Sequence, residues 1–285
     1  MSKKVLNKIL LIMFFVSIFF ASYIELKNNL QQLKVEYKSE RAKVTDATAL
    51  QSGKYNEIID MDTKNINIFK ILMGQIEQKY SKGNWKSVER KDSYNNELQF
   101  YSKENVFIKD NIIEITSKKE NKGNKLYTSG LVESTYAYKY GYFEFTIEIS
   151  EGKGIFPAIW FLPNYDYEVL EIDLFEMIGS EPYTFYGVIH FVENGIQDSD
   201  YFKYKAPKKE NYSVALEWNT EALTWYIDNQ KIYTTTKGVP QEYMYIIINQ
   251  AIGGDWPGDP DDSVFPNKFK VTATKLEPVF KKGRN

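Results

Sequence analysis

The sequence predicts an all-β sandwich or jelly roll of roughly 200 residues in one domain, preceded by an N-terminal apolar helix and a polar stalk. Three observations carry this. From about residue 66 onward, short runs alternate apolar and polar side chains, the period of a strand with one buried face. Turn pairs such as Asp110-Asn111 and Asp228-Asn229 separate those runs at short intervals. No long stretch shows helical periodicity, and no internal repeat is visible.

The N-terminus comes first. Lys3, Lys4 and Lys8 flank ILLIMFFVSIFFASYI, residues 9–24, which contain no charge, Gly or Pro. Positive residues before an apolar run leave the N-terminus in the cytoplasm. The run is longer than a signal-peptide core and shorter than a full span. Small residues are poorly placed for cleavage, since Phe19 precedes Ala21 by two and Phe20 precedes Ser22 by two. The expectation for 1–24 is an uncleaved signal-anchor helix, with a cleaved signal peptide as the alternative. In both cases the remaining chain is extracytoplasmic. Residues 25–65 are polar and mixed in charge, with Leu26, Leu30, Leu33 and Tyr37 at a weak helical spacing. They are expected to form a stalk, leaving 66–285 as the β domain.

Within that domain, VFIKDNIIEITSKK (106–119) holds two alternating runs around Asp110-Asn111. YGYFEFTIEIS (140–150) alternates Phe143, Phe145, Ile147 and Ile149 against Glu144, Thr146 and Glu148. Residues 213–236 form a hairpin series turning at Asp228-Asn229, and YMYIIINQAI (243–252) is an apolar, buried strand. Composition sets limits on chemistry. A net charge of −2 gives no basic surface for nucleic acid. The absence of cysteine excludes disulfides and thiolate metal sites, and a single histidine excludes a multi-histidine zinc site. The aromatic content of 16% suits flat ligands such as sugar rings, but strands favour aromatics as well.

The segment that demands an explanation is EIDLFE, 171–176. Strict alternation puts Glu171, Asp173 and Phe175 on one face and Ile172, Leu174 and Glu176 on the other. Glu176 then sits among apolar side chains, a costly place for a carboxylate. One β-bulge at Leu174–Phe175 returns Glu176 to the face of Glu171 and Asp173 and turns Met177 to the core. Three aligned carboxylates repel, so at least one resists ionisation. That arrangement serves a retaining glycosidase, in which one carboxylate attacks and a second delivers a proton. It also suits a calcium site or a solvated acidic face, and spacing alone leaves these open.

From NNELQFYSKENVFI (95–108) onward the chain resembles glycoside hydrolase family 16, in particular its laminarinase-type endo-β-1,3-glucanases. The resemblance is carried by YTSG (127–130), YGYFEFTIEISEGKGIFPAIWFLP (140–163), EIDLFE and YGVIHF (186–191). It continues through YSVALEWNTEALTWYIDNQKIY (212–233), INQAIGGDWPGDPDD (248–262) and VFPNKFKV (264–271). It implies a concanavalin-like jelly-roll β-sandwich with an open cleft for a polysaccharide. It also implies that Glu171 is the nucleophile, Glu176 the general acid/base, and Asp173 the residue tuning them. His190 is implied to face the cleft near the acid/base. Trp160 and Trp256 are implied to contact sugar, through a flat ring face and an N–H able to bond a hydroxyl, while Trp218 and Trp225 are read as core. Asn96 and Asn249 match polar positions lining the sugar subsites.

The chain departs from the family pattern in three places. Leu170 stands where a glycine precedes the acid motif, and Leu131 replaces an arginine after YTSG. Thr272 replaces the acid that ligates calcium in many relatives, which counts against a structural calcium on the convex face without excluding one; no other cofactor is expected. The expected function is endo-hydrolysis or transglycosylation of a β-glucan or related extracellular polysaccharide; the alternative is a sugar-binding protein without turnover.

Overall fold

A computed structural model describes residues 84–92, 94–163 and 169–284. The leader, the stalk and the expected opening of the domain at 66–83 lie outside the described residues. Among the described residues no helix is long and apolar enough to cross a membrane. The strands are β1 (Trp85–Ser87), β2 (Gln99–Tyr101), β3 (Val106–Lys109), β4 (Ile112–Ser117) and β5 (Tyr127–Ser129). They continue as β6 (Leu131–Glu148), β7 (Ile155–Pro163), β8 (Glu171–Glu176), β9 (Thr184–Glu193) and β10 (Ile196–Lys205). The last five are β11 (Asn211–Trp218), β12 (Leu223–Ile227), β13 (Gln230–Thr235), β14 (Met244–Ile252) and β15 (Asn267–Gly283).

Hydrogen bonding links them in the order β10-β9-β8-β7-β14-β6-β11-β12-β13, with β15 paired to β6 and β4. The long strand β6 belongs to both layers of the resulting jelly roll. Its first half pairs with β14, its second half with β11 and β15. Between the halves, Tyr140 and Gly141 take φ of 59° and 148°. A Cβ at Gly141 would stand 2.6 Å from the Glu277 carbonyl oxygen, so only glycine lets β15 lie this close. The two layers meet in one core, where Phe175 stacks on Phe269 and Phe185 packs edge-on to Tyr212.

The expected turns are present: Asp110 joins β3 to β4, and Asp228 and Asn229 join β12 to β13, all at positive φ. Two boundaries differ from the sequence expectation. The strand expected to begin at 140 begins at Leu131, because a register shift opposite Tyr245–Ile247 breaks alternation in its first half. The strand β10 was not expected at all; it is polar, largely exposed and paired on one side only.

The bulge in β8 is present where the apolar pattern demanded it. Asp173 pairs with Val188 and Glu176 with Tyr186, so three steps on β8 match two on β9. On the other side Asp173 faces Trp160 and Phe175 faces Ile159, leaving Leu174 as the extra residue. Ile172, Leu174, Phe175 and Met177 all enter the core. Burying each contributes about 1.5–3 kcal/mol, and a one-residue slip would exchange them with the acids. The register is therefore fixed by the side that points away from the acids.

Gly187 lies on β9 across from the bulge. A Cβ there would fall 2.3 Å from a Phe202 ring carbon and 2.7 Å from Trp225 Nε1. Gly187→Ala is expected to lower stability by about 2–3 kcal/mol through overpacking, read as a reduced urea midpoint. An unchanged midpoint would contradict this packing.

Candidate active site

The bulge turns Glu171, Asp173 and Glu176 toward the open face of the sheet. Strand pairing sets them in rows with aromatic neighbours. One row runs Ile247, Trp160, Asp173, Val188, Tyr201, and the next runs Asn249, Ala158, Glu176, Tyr186, Lys203. Opposite Glu171 on β9 is His190, half-exposed, with Nε2 3.4 Å from Asp173 Oδ2. Trp225, across the core, donates its indole N–H to the Asp173 carbonyl oxygen at 3.0 Å and so holds the backbone at the bulge.

The three acids differ in what surrounds them. Asp173 is 2% exposed. Burial pushes its carboxyl well above the ordinary aspartate range, the Glu171 charge pushes it further, and its hydrogen bond to Glu171 adds to the shift. These causes all favour the protonated form of Asp173, the form that can donate to Glu171. Glu171 receives that hydrogen bond; burial raises its pKa, while His190 and the Asp173 hydrogen bond hold it down. Glu176 opens to the cleft at its surface but is crowded by protein elsewhere. Burial pushes it well above the ordinary range, the negative charge shared by the Asp173–Glu171 pair adds to the push, and His190 opposes it. Within this coupled set the upward push is strongest on Asp173 and Glu176, which leaves Glu171 as the group placed to ionise first.

Glu171, Asp173 and His190 also bring one donor atom each within 4.8 Å of one another, a spacing that fits a metal ion. The Asp173–Glu171 hydrogen bond occupies part of that donor set with a proton, which a cation would have to displace.

The aromatic residues are placed as follows. Trp160 is half-buried beside the acids, and its N–H is committed to Asn249 Oδ1 at 2.7 Å, not left for a sugar hydroxyl. Asn249 is only 6% exposed and spans Trp160 and the Tyr101 hydroxyl, at 2.9 Å, so it fixes the Trp160 ring from behind. Trp256 is exposed, with its ring edge-on to Tyr186 at 4.9 Å and to Phe156 at 5.2 Å. Its loop is tied down by Asn96, whose Nδ2 donates to Asp255 Oδ1 at 2.8 Å, and by Asp255 N to Asn95 O at 3.0 Å. At Gly254, φ is 111° and a Cβ would lie 2.9 Å from that same Asn95 oxygen. Trp218 and Trp225 are both in the core. Sequence reasoning missed Tyr186, although it shares strand parity with His190 in YGVIHF. It also missed the Trp225 bond, which spans 52 positions and leaves no local signal.

Comparison with known proteins fits this geometry. The family model described as Glycosyl hydrolases family 16 matches residues 91–272. An endo-1,3-1,4-beta-glycanase of Rhizobium meliloti is 30% identical over 189 residues, covering 60% of this chain and 40% of that protein. A beta-glucanase of Rhodothermus marinus is 26% identical over 216 residues, covering 64% of this chain and 74% of that protein. The laminarinase catalytic domain from Thermotoga maritima superposes with a TM-score of 0.59 at 28% identity, covering 66% of this chain and 88% of that one. The matched region thus spans less than half the length of the Rhizobium relative.

Glu176 links the site to stability. Its folded pKa is raised, so ionisation costs nothing at pH below the unfolded value and opposes folding as pH rises above it. Glu176→Gln is expected to raise the melting temperature by about 2–4 °C near neutral pH. The gain should vanish near pH 4, about where an unfolded glutamate titrates. Differential scanning calorimetry across pH reads both; a loss of stability at neutral pH would contradict the assignment.

Proposed function

The chain belongs to the glycosyl hydrolases of family 16, and from that premise we propose that it is a retaining endo-glycosidase. Its substrate is β-1,3- or mixed-linkage β-glucan or a related extracellular polysaccharide, which it hydrolyses or transglycosylates. The observation that carries this is the trio of acids turned to one face by the bulge, with burial pushing the carboxyls of Asp173 and Glu176 well above their ordinary range.

The steps follow from those protonation states. The substrate lies across the strands, its rings against Trp160 and Trp256. The Glu171 carboxylate attacks the anomeric carbon as the bond to the leaving oxygen breaks, and Glu176 gives that oxygen its proton. As Glu171 becomes an ester it loses its negative charge. The burden on Glu176 falls at the same moment, and Glu176 is left as a carboxylate able to act as base. Water, or a sugar hydroxyl in transglycosylation, then loses its proton to Glu176 and displaces Glu171, restoring the starting configuration. Asp173 donates to Glu171 throughout, stabilising it as attacking group and as leaving group. No redox cofactor enters this chemistry.

Lys3, Lys4 and Lys8 before the apolar run 9–24 support an extracytoplasmic location. The domain would be held at the membrane by that segment, or secreted once it is removed.

Reducing-end release from a panel of β-glucans, with proton NMR of the newborn anomer, tests the proposal. The wild type is expected to release sugar with retained configuration, and Glu171→Gln to lose about three orders of magnitude in kcat. The pH–rate profile is expected to be bell-shaped, its acid limb set by Glu171 and its alkaline limb by Glu176. Equal release by both proteins would overturn the nucleophile. Binding without release by the wild type would make this a carbohydrate-binding protein instead.

A further inference from the structure

At the Trp160 side of the open face the chain presents an arginine whose side chain has no acidic partner within salt-bridge distance among the described residues. Arg90 pairs through its backbone with Tyr101, with both N–H to O distances at 2.9 Å. The guanidinium carbon lies 5.7 Å from the ring centres of both Tyr94 and Tyr101. Its Nε is buried and has no hydrogen-bond partner. Glu97, whose charge Arg90 feels, has its carboxylate hydrogen-bonded by Gln99 at 2.7 Å and by the Tyr101 hydroxyl at 3.4 Å. Burial also raises the pKa of Glu97, weakening it further as a counterion.

The surroundings mark the place as part of the cleft. The Tyr101 hydroxyl is bonded by Asn249, which holds Trp160. Tyr245 packs in the same small cluster as Tyr101 and Trp160 and feels both Arg90 and Arg284 electrostatically. Arg284 sits 3.5 Å over the Tyr245 ring and is paired with Glu133 at 3.1 Å, so its charge is already matched. A buried donor facing no acceptor costs stability; Arg90 as a whole is only half-buried, so the terminal nitrogens of the same guanidinium are what an acceptor from outside can reach.

We propose that Arg90, stacked on Tyr94 and Tyr101, forms a subsite for a carboxylate carried by the polysaccharide, so that the preferred substrate is an acidic glycan, not a neutral one. The planar fork of arginine matches a carboxylate. Tyr245 is on β14, two strand spacings from the acids on β8, roughly 10 Å. The acidic sugar is therefore not the one being cleaved but one further along on the Trp160 side. This inference rests on the hydrolase reading and names its substrate class.

The test compares mixed-linkage β-glucan oligosaccharides with the same oligosaccharides oxidised at C6 to uronates. In the wild type the ratio of kcat/KM, acidic to neutral, is expected to exceed one and to fall as salt rises. Arg90→Leu is expected to reduce that ratio about tenfold, mainly through KM, and Arg90→Lys to restore part of it. A ratio unchanged in Arg90→Leu would overturn the subsite while leaving the hydrolase standing. Calorimetric binding of the two oligosaccharides to Glu171→Gln, with and without Arg90→Leu, gives an arm independent of turnover. Uronate-dependent binding that Arg90→Leu abolishes, in a wild type that cleaves nothing, would sustain the subsite and reject the hydrolase.

Discussion

The hydrogen bond from the Trp225 indole to the Asp173 carbonyl oxygen, 3.0 Å long, holds the structure at its most demanding point. A bulge leaves backbone groups without ladder partners, and an unpaired buried carbonyl costs about 1–3 kcal/mol. Trp225 supplies the missing donor from the opposite layer, and Gly187 leaves the room its indole needs. Trp225, Gly187 and the extra residue Leu174 form one device. With it, four apolar side chains enter the core on one side of β8 and three acids leave on the other. Without it, strict alternation would return Glu176 to the interior.

That device carries an electrostatic cost. Three carboxyl groups on one short strand, each desolvated by the sheet beneath, oppose folding whenever they ionise together. The site limits the cost by keeping protons: Asp173 spends its proton on Glu171, and Glu176 keeps one of its own. His190 moderates both glutamates from β9. In the proposed mechanism what weakens the fold also sets the reactivity, because the repulsion that pushes Glu176 upward is relieved when Glu171 is esterified. The surrounding aromatic core, with Phe175, Phe185, Phe269 and Tyr212 in mutual contact, is where the offsetting burial lies.

The sequence displayed the bulge because a bulge is a local phase error. Glu176 on the apolar face was a contradiction within six residues, and one inserted residue resolved it. The hairpins at Asp110 and Asp228 were legible for a similar reason, since a turn residue tolerant of positive φ sat between alternating runs. The first half of β6 was not legible, because its register shift spoils the period. The strand β10, exposed and polar, buries too little to impose one. Long-range polar contacts were illegible by nature. Nothing near Asn249 says that its amide will be enclosed between Trp160 and Tyr101, nor does anything near Trp225 name Asp173 as its partner. The family resemblance located these residues near the cleft, and only coordinates separate a ring that faces ligand from the amide that braces it.

The central claim is that Asp173 stays protonated and serves Glu171, which is the first of the three to ionise. Carbon-13 NMR of side-chain carboxyls, assigned through single-site variants and followed as pH is raised, measures this directly. The account requires the first ionisation among the three acids to fall on Glu171, with Asp173 silent through neutral pH. An Asp173 carboxyl that titrates near pH 4, about the value of an unperturbed aspartate, while Glu171 remains protonated, would contradict it.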